Sequence, residues 1–258
     1  MYKKENLLFI ILGGFFITNA LVAEFISAKI FSLKASLGFD PVSMTLFGES
    51  GLSFNLTVGV LLWPVVFIMT DVINEYYGRR GVRLLSFLAV GLISYAFVMV
   101  YFSISVEPAG FWQDIHSDIQ PSINTAYTRI LGQGMAIIVG SLIAFLIGQL
   151  VDVTVFHKLR KITGSKNIWI RATGSTLVSQ FIDSYVVLFV AFYALAGDQR
   201  WTIPQVIATG TVNYVYKFLM AVVLTPAIYL AHWIIDKYLG KELSEKLMAQ
   251  AAGEEIKS

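Results

Sequence analysis

The chain has 258 residues, 56% of them hydrophobic and only 14% charged, where ordinary soluble domains are roughly a quarter charged. A surface so poor in charge excludes a free-standing soluble protein, and the formal net charge of +2, from 19 basic and 17 acidic residues without a dense basic block, gives no reason to expect a nucleic-acid partner. With no cysteine, a disulfide framework, a thiolate nucleophile and a cysteine metal site are all excluded.

Apolar stretches of about 20 residues, the length that crosses a bilayer core, recur along the chain. They predict an all-α integral membrane protein, a bundle of six transmembrane helices at about 7–30, 56–76, 84–103, 131–156, 169–196 and 206–235. The first begins after Lys3 and Lys4 like a signal peptide. Its length, its Asn19 and Glu24 and the lack of a small-residue cleavage site make it a span instead. The connection 104–130, with Glu107, Asp114 and Asp118 between Pro108 and Pro121, reads as a solvated loop rather than a lid helix. After Lys237 the segment 237–258 is a short amphipathic or fraying tail, and no linker divides the chain into domains.

Basic residues test this layout, because cytoplasmic loops near span ends are enriched in them. The N-terminus, the Arg79 to Arg83 turn, the 158–166 loop and the C-terminus carry thirteen, while the intervening loops carry three, Lys34, Arg129 and Arg200. Arg171 sits at the basic edge of the fifth span, and Lys29 and Lys217 lie inside spans. Both termini are therefore expected in the cytoplasm. Three spans per half would allow an inverted repeat with Asp71 and Asp183 equivalent, although the surrounding residues do not match.

Polar groups inside spans mark function, since an ionised side chain at mid-membrane costs about 2.5–3.5 kcal/mol or more unless a cavity or partner meets it. Thr176, Gln180 and Asp183 fall at i, i+4 and i+7 and make a polar stripe on the fifth helix, widened by Ser175 and Ser179. Thr209, Asn213 and Lys217 repeat the pattern on the sixth, which makes Asp183 and Lys217 a candidate ion pair, either a static clamp or a part of transport. Asn19, Glu24 and Asp71 join Gln180, Asp183, Asn213 and Lys217 as candidate ligand-binding groups. Asp183 is the first choice for reading a ligand's donor edge, with Glu24 the alternative. Asn74, Glu75 and Gln149 lie near the cytoplasmic ends; Glu75 is expected to meet water, and Glu75, Gln149 and Asp152 are read as structural or gating. Asp152, one turn beyond the small-residue ridge Gly140, Ala144, Gly148, is expected to reach the cytoplasmic mouth and pair with Lys158 or Arg160. Pro64 and Pro226 are read as kinks within spans.

Enzyme signatures are missing. His116, His157 and His232 form no HExxH pair, and the chain carries neither a phosphate-binding lysine loop nor a GxSxG elbow. No catalytic residue, metal or cofactor is expected.

Four stretches then carry a family likeness: WPVVFIMTDVINEYYGRR at 63–80, GQLVDVTVFHKLR at 148–160, RATGSTL at 171–177 running on to Asp183, and NYVYK at 213–217. Together they resemble the motifs of the queuosine-precursor transporter family, and they occur in family order. Some relatives carry Asp where this chain has Asn213. The resemblance implies six transmembrane helices, kinship with the substrate-binding components of energy-coupling-factor vitamin transporters, and uptake of 7-deazaguanine bases (preQ0, preQ1 or queuine) for tRNA modification. Localisation would be the bacterial cytoplasmic membrane, multi-pass, with a second copy of the chain as a candidate partner. A guanine-like edge offers two N–H donors to one carboxylate, and Phe67, Phe181 and Tyr185 are candidates to stack on the flat ring. An ATPase-driven binding component and a non-transport membrane scaffold stand as rivals.

Overall fold

The computed structural model describes residues 3–40, 43–116, 118, 120–132, 135–163 and 168–253. Five of its helices are long and apolar enough to cross a membrane, as an all-α membrane protein requires. Their surface carries many exposed large apolar side chains, Ile10, Phe15, Leu84, Phe87 and Leu219 among them, which a bilayer would cover.

Helix α1 (Lys4–Ile26) ends four residues short of the expected boundary. Beyond it Ile30–Ser32 forms β1, paired antiparallel with β4 (Asn55–Thr57), so Ile30 faces Thr57 and Phe31 faces Leu56. Lys29 consequently lies off the helix, exposed, its carbonyl accepting from Val58 N at 2.8 Å. Between these strands come α2 (Leu33–Ser36) and the hairpin of β2 (Met44–Leu46) and β3 (Glu49–Leu52). A 3-10 turn at Val58–Leu61 leads into the next helix. Its Gly59 lies against the Ala23 carbonyl and Ser27 Oγ, where a Cβ would not fit.

Helix α3 (Trp63–Ser105) runs 43 residues. A straight helix of that length would be about 64 Å long, twice the bilayer core. Gly78, at φ 63° and ψ −168°, breaks it, a conformation essentially reserved to glycine. The contacts show that the chain reverses there. Gly59 meets the end of α1; Phe9 packs on Tyr77 with ring centroids 4.9 Å apart; then Leu85 lies against Gly13 and Phe97 stacks on Phe25 at 5.3 Å. The half 63–77 thus descends against α1 and the half 79–105 returns beside it. Pro64 stands in the first turn of α3, where its missing N–H costs nothing, so it kinks no span.

The connection read as a loop contains two short helices, α4 (Gly110–Ile115) and α5 (Ile123–Leu131), the second capped by Ser122. That Ser hydroxyl supplies the first-turn acceptor a helix start needs. Helices α6 (Met135–Thr163) and α7 (Ile168–Leu188) pack antiparallel. The small-residue ridge makes this close: Gly140 meets Ala191 and the Val187 carbonyl, and Gly148 meets the Asp183 Cβ. After α7 the helix widens to a π segment at Phe189–Ala194.

Helix α8 (Ile203–Val223) opens on a capping box from Thr202 and Gln205. It stops at Leu224, and α9 (Thr225–Leu239) starts with Pro226 in its first turn. Pro lacks the N–H that would continue the ladder, which divides the expected 206–235 segment in two. Helix α10 (Lys241–Gly253) tucks Ser244, Leu247 and Ala251 inward, and its Met248 carbonyl accepts from Arg160 at 2.8 Å. Lys4 Nζ donates to the Tyr238 carbonyl at 3.3 Å, so the start of α1 and the end of α9 share one end of the bundle.

At that end Glu75 is buried, not water-facing. Arg171 donates to it through Nε at 3.1 Å and Nη2 at 2.8 Å, and Arg160 Nη2 lies 3.5 Å away. Nearby, Tyr76 OH donates to Asp236 Oδ1 at 2.8 Å and lies 2.9 Å from His232 Nδ1, while the Ser244 hydroxyl also reaches Asp236.

Two stability outcomes follow from this framework. Gly78→Ala should cost about 1–3 kcal/mol, the price of a forced backbone conformation, whereas Gly14→Ala, whose added Cβ meets nothing within 4 Å, should melt like the parent in detergent. Arg171→Ala leaves the Glu75 charge buried without its bidentate partner and should cost about 3–5 kcal/mol. The double variant Glu75→Gln, Arg171→Gln should recover at least half of that loss in the same melting assay.

Candidate functional site

Two polar rows meet inside the bundle. On α3, Thr70, Asp71, Asn74 and Glu75 are all buried within little more than one turn. On α7, Ser175, Thr176, Ser179 and Gln180 are buried on the facing side. The 3.6-residue period places each set on one stripe. Thr176 Oγ1 donates to Asp71 Oδ2 at 3.4 Å, and the Glu75–Arg171 pair closes the same seam one turn on.

The third wall is α6. Thr70 Oγ1 lies 3.1 Å from Gln149 Oε1, and Ser179 Oγ donates to Asp152 Oδ1 at 3.2 Å. Asp152 is fully buried against α7, so it does not reach the cytoplasmic mouth to pair with Lys158 or Arg160. The reason is rotational: Gly148 and Asp152 are one turn apart, and the close approach of α7 at Gly148 turns the Asp152 side chain into the same interface.

A pocket whose empty space, open solvent at its mouth included, is about 460 Å³ lies between the first half of α3 and helices α7, α8 and α9. Asp71, Thr176, Gln180 and Lys217 are its polar lining, and Trp63, Phe67, Ile68 and Ile228 are among its apolar walls. Trp63 and Phe67 ring centroids are 6.4 Å apart at 38°. The composition, mostly apolar with a few placed polar groups, is that of a small-molecule site.

Two of those polar groups have unused capacity. Asp71 Oδ1 and Gln180 Nε2 are buried without a hydrogen-bond partner, a state that costs free energy unless a ligand meets it. Asp183, by contrast, is engaged by Lys217 Nζ in an ion pair whose side chains are mostly buried.

The remaining candidates stand elsewhere. Glu24 is buried but accepts from Ser141 Oγ of α6. Asn19 donates to the Phe15 carbonyl of its own helix at 2.8 Å. Asn213 is half-buried one turn from Lys217, outside the pocket lining. Phe181 is half exposed and packs on Tyr185 and Tyr214, while Tyr185 covers Gly210 and bonds Thr211 Oγ1 at 3.0 Å. Of the three proposed stacking rings, only Phe67 lines the pocket. Trp63 is the wall that sequence reasoning missed, and its signal was the Trp-Pro pair opening the longest motif.

The comparisons fit this geometry. The sequence pattern of the family described as "putative vitamin uptake transporter" matches residues 57–231. The chain is 33% identical over 181 residues to a probable queuosine precursor transporter of Bacillus subtilis (strain 168), covering 69% of this chain and 72% of the relative. It is 28% identical to a probable queuosine precursor transporter of Haemophilus influenzae, covering 76% and 77% of the two chains. The queuosine precursor transporter of Escherichia coli (strain K12) is 26% identical, with 76% and 79% covered. No solved structure matches the chain. The family pattern covers every residue that lines the pocket, from Val60 to Ile228, and the chain belongs to this family of uptake transporters.

Proposed function

We propose that the protein imports queuosine precursors, 7-deazaguanine bases such as preQ0, preQ1 or queuine, across the bacterial cytoplasmic membrane. The relatives' names supply the substrate class. One observation carries the assignment to this pocket: an acceptor, Asp71 Oδ1, and a donor, Gln180 Nε2, line the same apolar cavity and are both unpartnered. A guanine-like edge presents N–H donors beside a carbonyl acceptor, the complement of that pair. Asp71 accepts the N–H groups, Gln180 donates to the carbonyl, and Trp63 with Phe67 covers the ring face. Asp71 thereby takes the reading role expected of Asp183, because Lys217 already occupies Asp183.

Six passes accommodate the reversal at Gly78, with α8 and α9 forming the last as a kinked pair. The basic-residue asymmetry supports cytoplasmic termini, at the end where Lys4 meets Tyr238. The protein acts as a carrier on its own, without a separate ATPase. A stable, stoichiometric ATPase co-purifying from native membranes would sink that reading.

The test is complementation of a queuosine-deficient, transporter-null cell fed each base in turn, reading queuosine in tRNA. The parent should restore it and the scaffold alternative should not. Asp71→Asn, expressed to the parent level, removes a charge-assisted acceptor of about 1.5–3 kcal/mol. Base affinity of the purified variant should fall at least about tenfold; unchanged affinity would remove Asp71 from the site. Replacing Asp183 and Lys217 together by Asn and Gln leaves no unpaired buried charge. That double variant should fold and still bind base, whereas Asp183→Asn alone should melt lower.

A further inference from the structure

Asp71 and Asp152 are neighbours in the bundle interior, approached from α3 and α6 across the same face of α7. Thr176 donates to the first and Ser179 to the second, and the Ser175 hydroxyl beside them donates to the Ala172 carbonyl at 3.1 Å. Each carboxylate keeps one oxygen without a partner, Asp71 Oδ1 and Asp152 Oδ2. Asn74, one turn from Asp71, is buried with neither amide atom partnered, and Gln149, one turn before Asp152, has a buried, unpartnered Nε2. Spacing of three residues puts each amide on the face of its carboxylate.

The charged groups around this cluster are committed elsewhere. Toward the α10 end, Glu75 is held by Arg171 with Arg160 beside it, and His157 is buried on α6. Toward the other end, Lys217 is bound to Asp183, and Glu24 accepts from Ser141. Among the described residues, Thr176 and Ser179 donate neutral hydroxyls to the Asp71–Asp152 pair. Two negative charges in such surroundings need a cation between them. A hard metal ion asks for about six oxygen ligands or more, whereas the pair offers one free oxygen from each carboxylate, enough for a proton.

We infer that Asp71 and Asp152 hold one proton between them and that this proton travels with the base. The step balances simply. With the proton on Asp152, Asp71 is the anion that accepts the base's N–H groups, so the proton binds first, the base binds the protonated pair, both leave at the inner face and the empty pair returns without the proton; no bond of the base is made or broken. This rests on the proposed role of Asp71 in base binding, and it adds a proton-motive driving force that the pocket alone does not supply.

The experiment uses the purified full chain in liposomes, with preQ0 as an uncharged probe. An imposed pH gradient of one unit, acidic outside, should drive accumulation toward about tenfold for one proton per base. Asp152→Asn, outside the pocket lining, should still exchange preQ0 for preQ0 but only equilibrate it under the gradient. Accumulation driven by a sodium gradient, parent protein that merely equilibrates preQ0 across a pH gradient, or an Asp152→Asn protein that still accumulates it would each overturn the inference. The parent arms decide even if the variant fails to fold. Infrared titration of the same protein without base provides a separate reading. A carboxylic-acid carbonyl band at neutral pH that Asp152→Asn removes supports the shared proton, and its absence refutes it. If preQ0 neither accumulates nor exchanges, the substrate assignment fails while the infrared band still decides the proton.

Discussion

Hydrocarbon cannot hydrogen-bond, so every polar group carried into the bundle must be answered by another part of the chain or by what the chain carries. The seam between the first half of α3 and α7 is where this constraint concentrates. Glu75 with Arg171 anchors one end of it through two hydrogen bonds, and Thr176 with Asp71 continues it inward. Helix α6 adds Gln149 and Asp152 to the same interior, and α8 adds Lys217. The helices are thus held in rotation by polar contacts as well as by the close approach at Gly140 and Gly148. Among the atoms left over, Asp71 Oδ1 and Gln180 Nε2 belong to residues that line the pocket.

Much of this was legible from spacing. Apolar run length located the long helices, the i, i+4, i+7 stripe on α7 identified its inward face, and the matching stripe on α8 put Lys217 opposite Asp183. Periodicity reports a face, however, and not what stands across from it. It could not tell that Lys217 would occupy Asp183 and leave Asp71 open, or that Arg171 at a span edge would turn inward to Glu75. Phe181 follows Gln180 by one residue, about 100° around the helix, which is enough to send it outward. Run length failed where two structures compete for the same apolar residues: Ile30 closes the expected first span and Leu56 opens the expected second, but Ile30 pairs with Thr57 and Leu56 with Phe31 as strands.

The walls and the relatives point to the same chemistry by independent routes. Trp63 and Phe67 offer flat apolar surface, and the polar lining is too sparse to hold a highly charged solute. A planar heterocycle with a donor and acceptor edge suits such a site, and the related proteins carry the name of a transporter for precursors of a modified nucleoside. In the proposed site the polar side chains would supply hydrogen bonds and Trp63 with Phe67 the ring contacts, in keeping with a family of uptake transporters.

The reversal at Gly78 has a mechanical side. A single residue joins the two halves of α3, leaving no slack to absorb a displacement. One arm carries Asp71 on the pocket wall; the other lays Leu85 and Phe97 along α1. Force applied to the first arm therefore reaches the second as torque about one backbone position. Its fulcrum is held by Tyr77, whose hydroxyl donates to the Glu5 carbonyl at 2.7 Å.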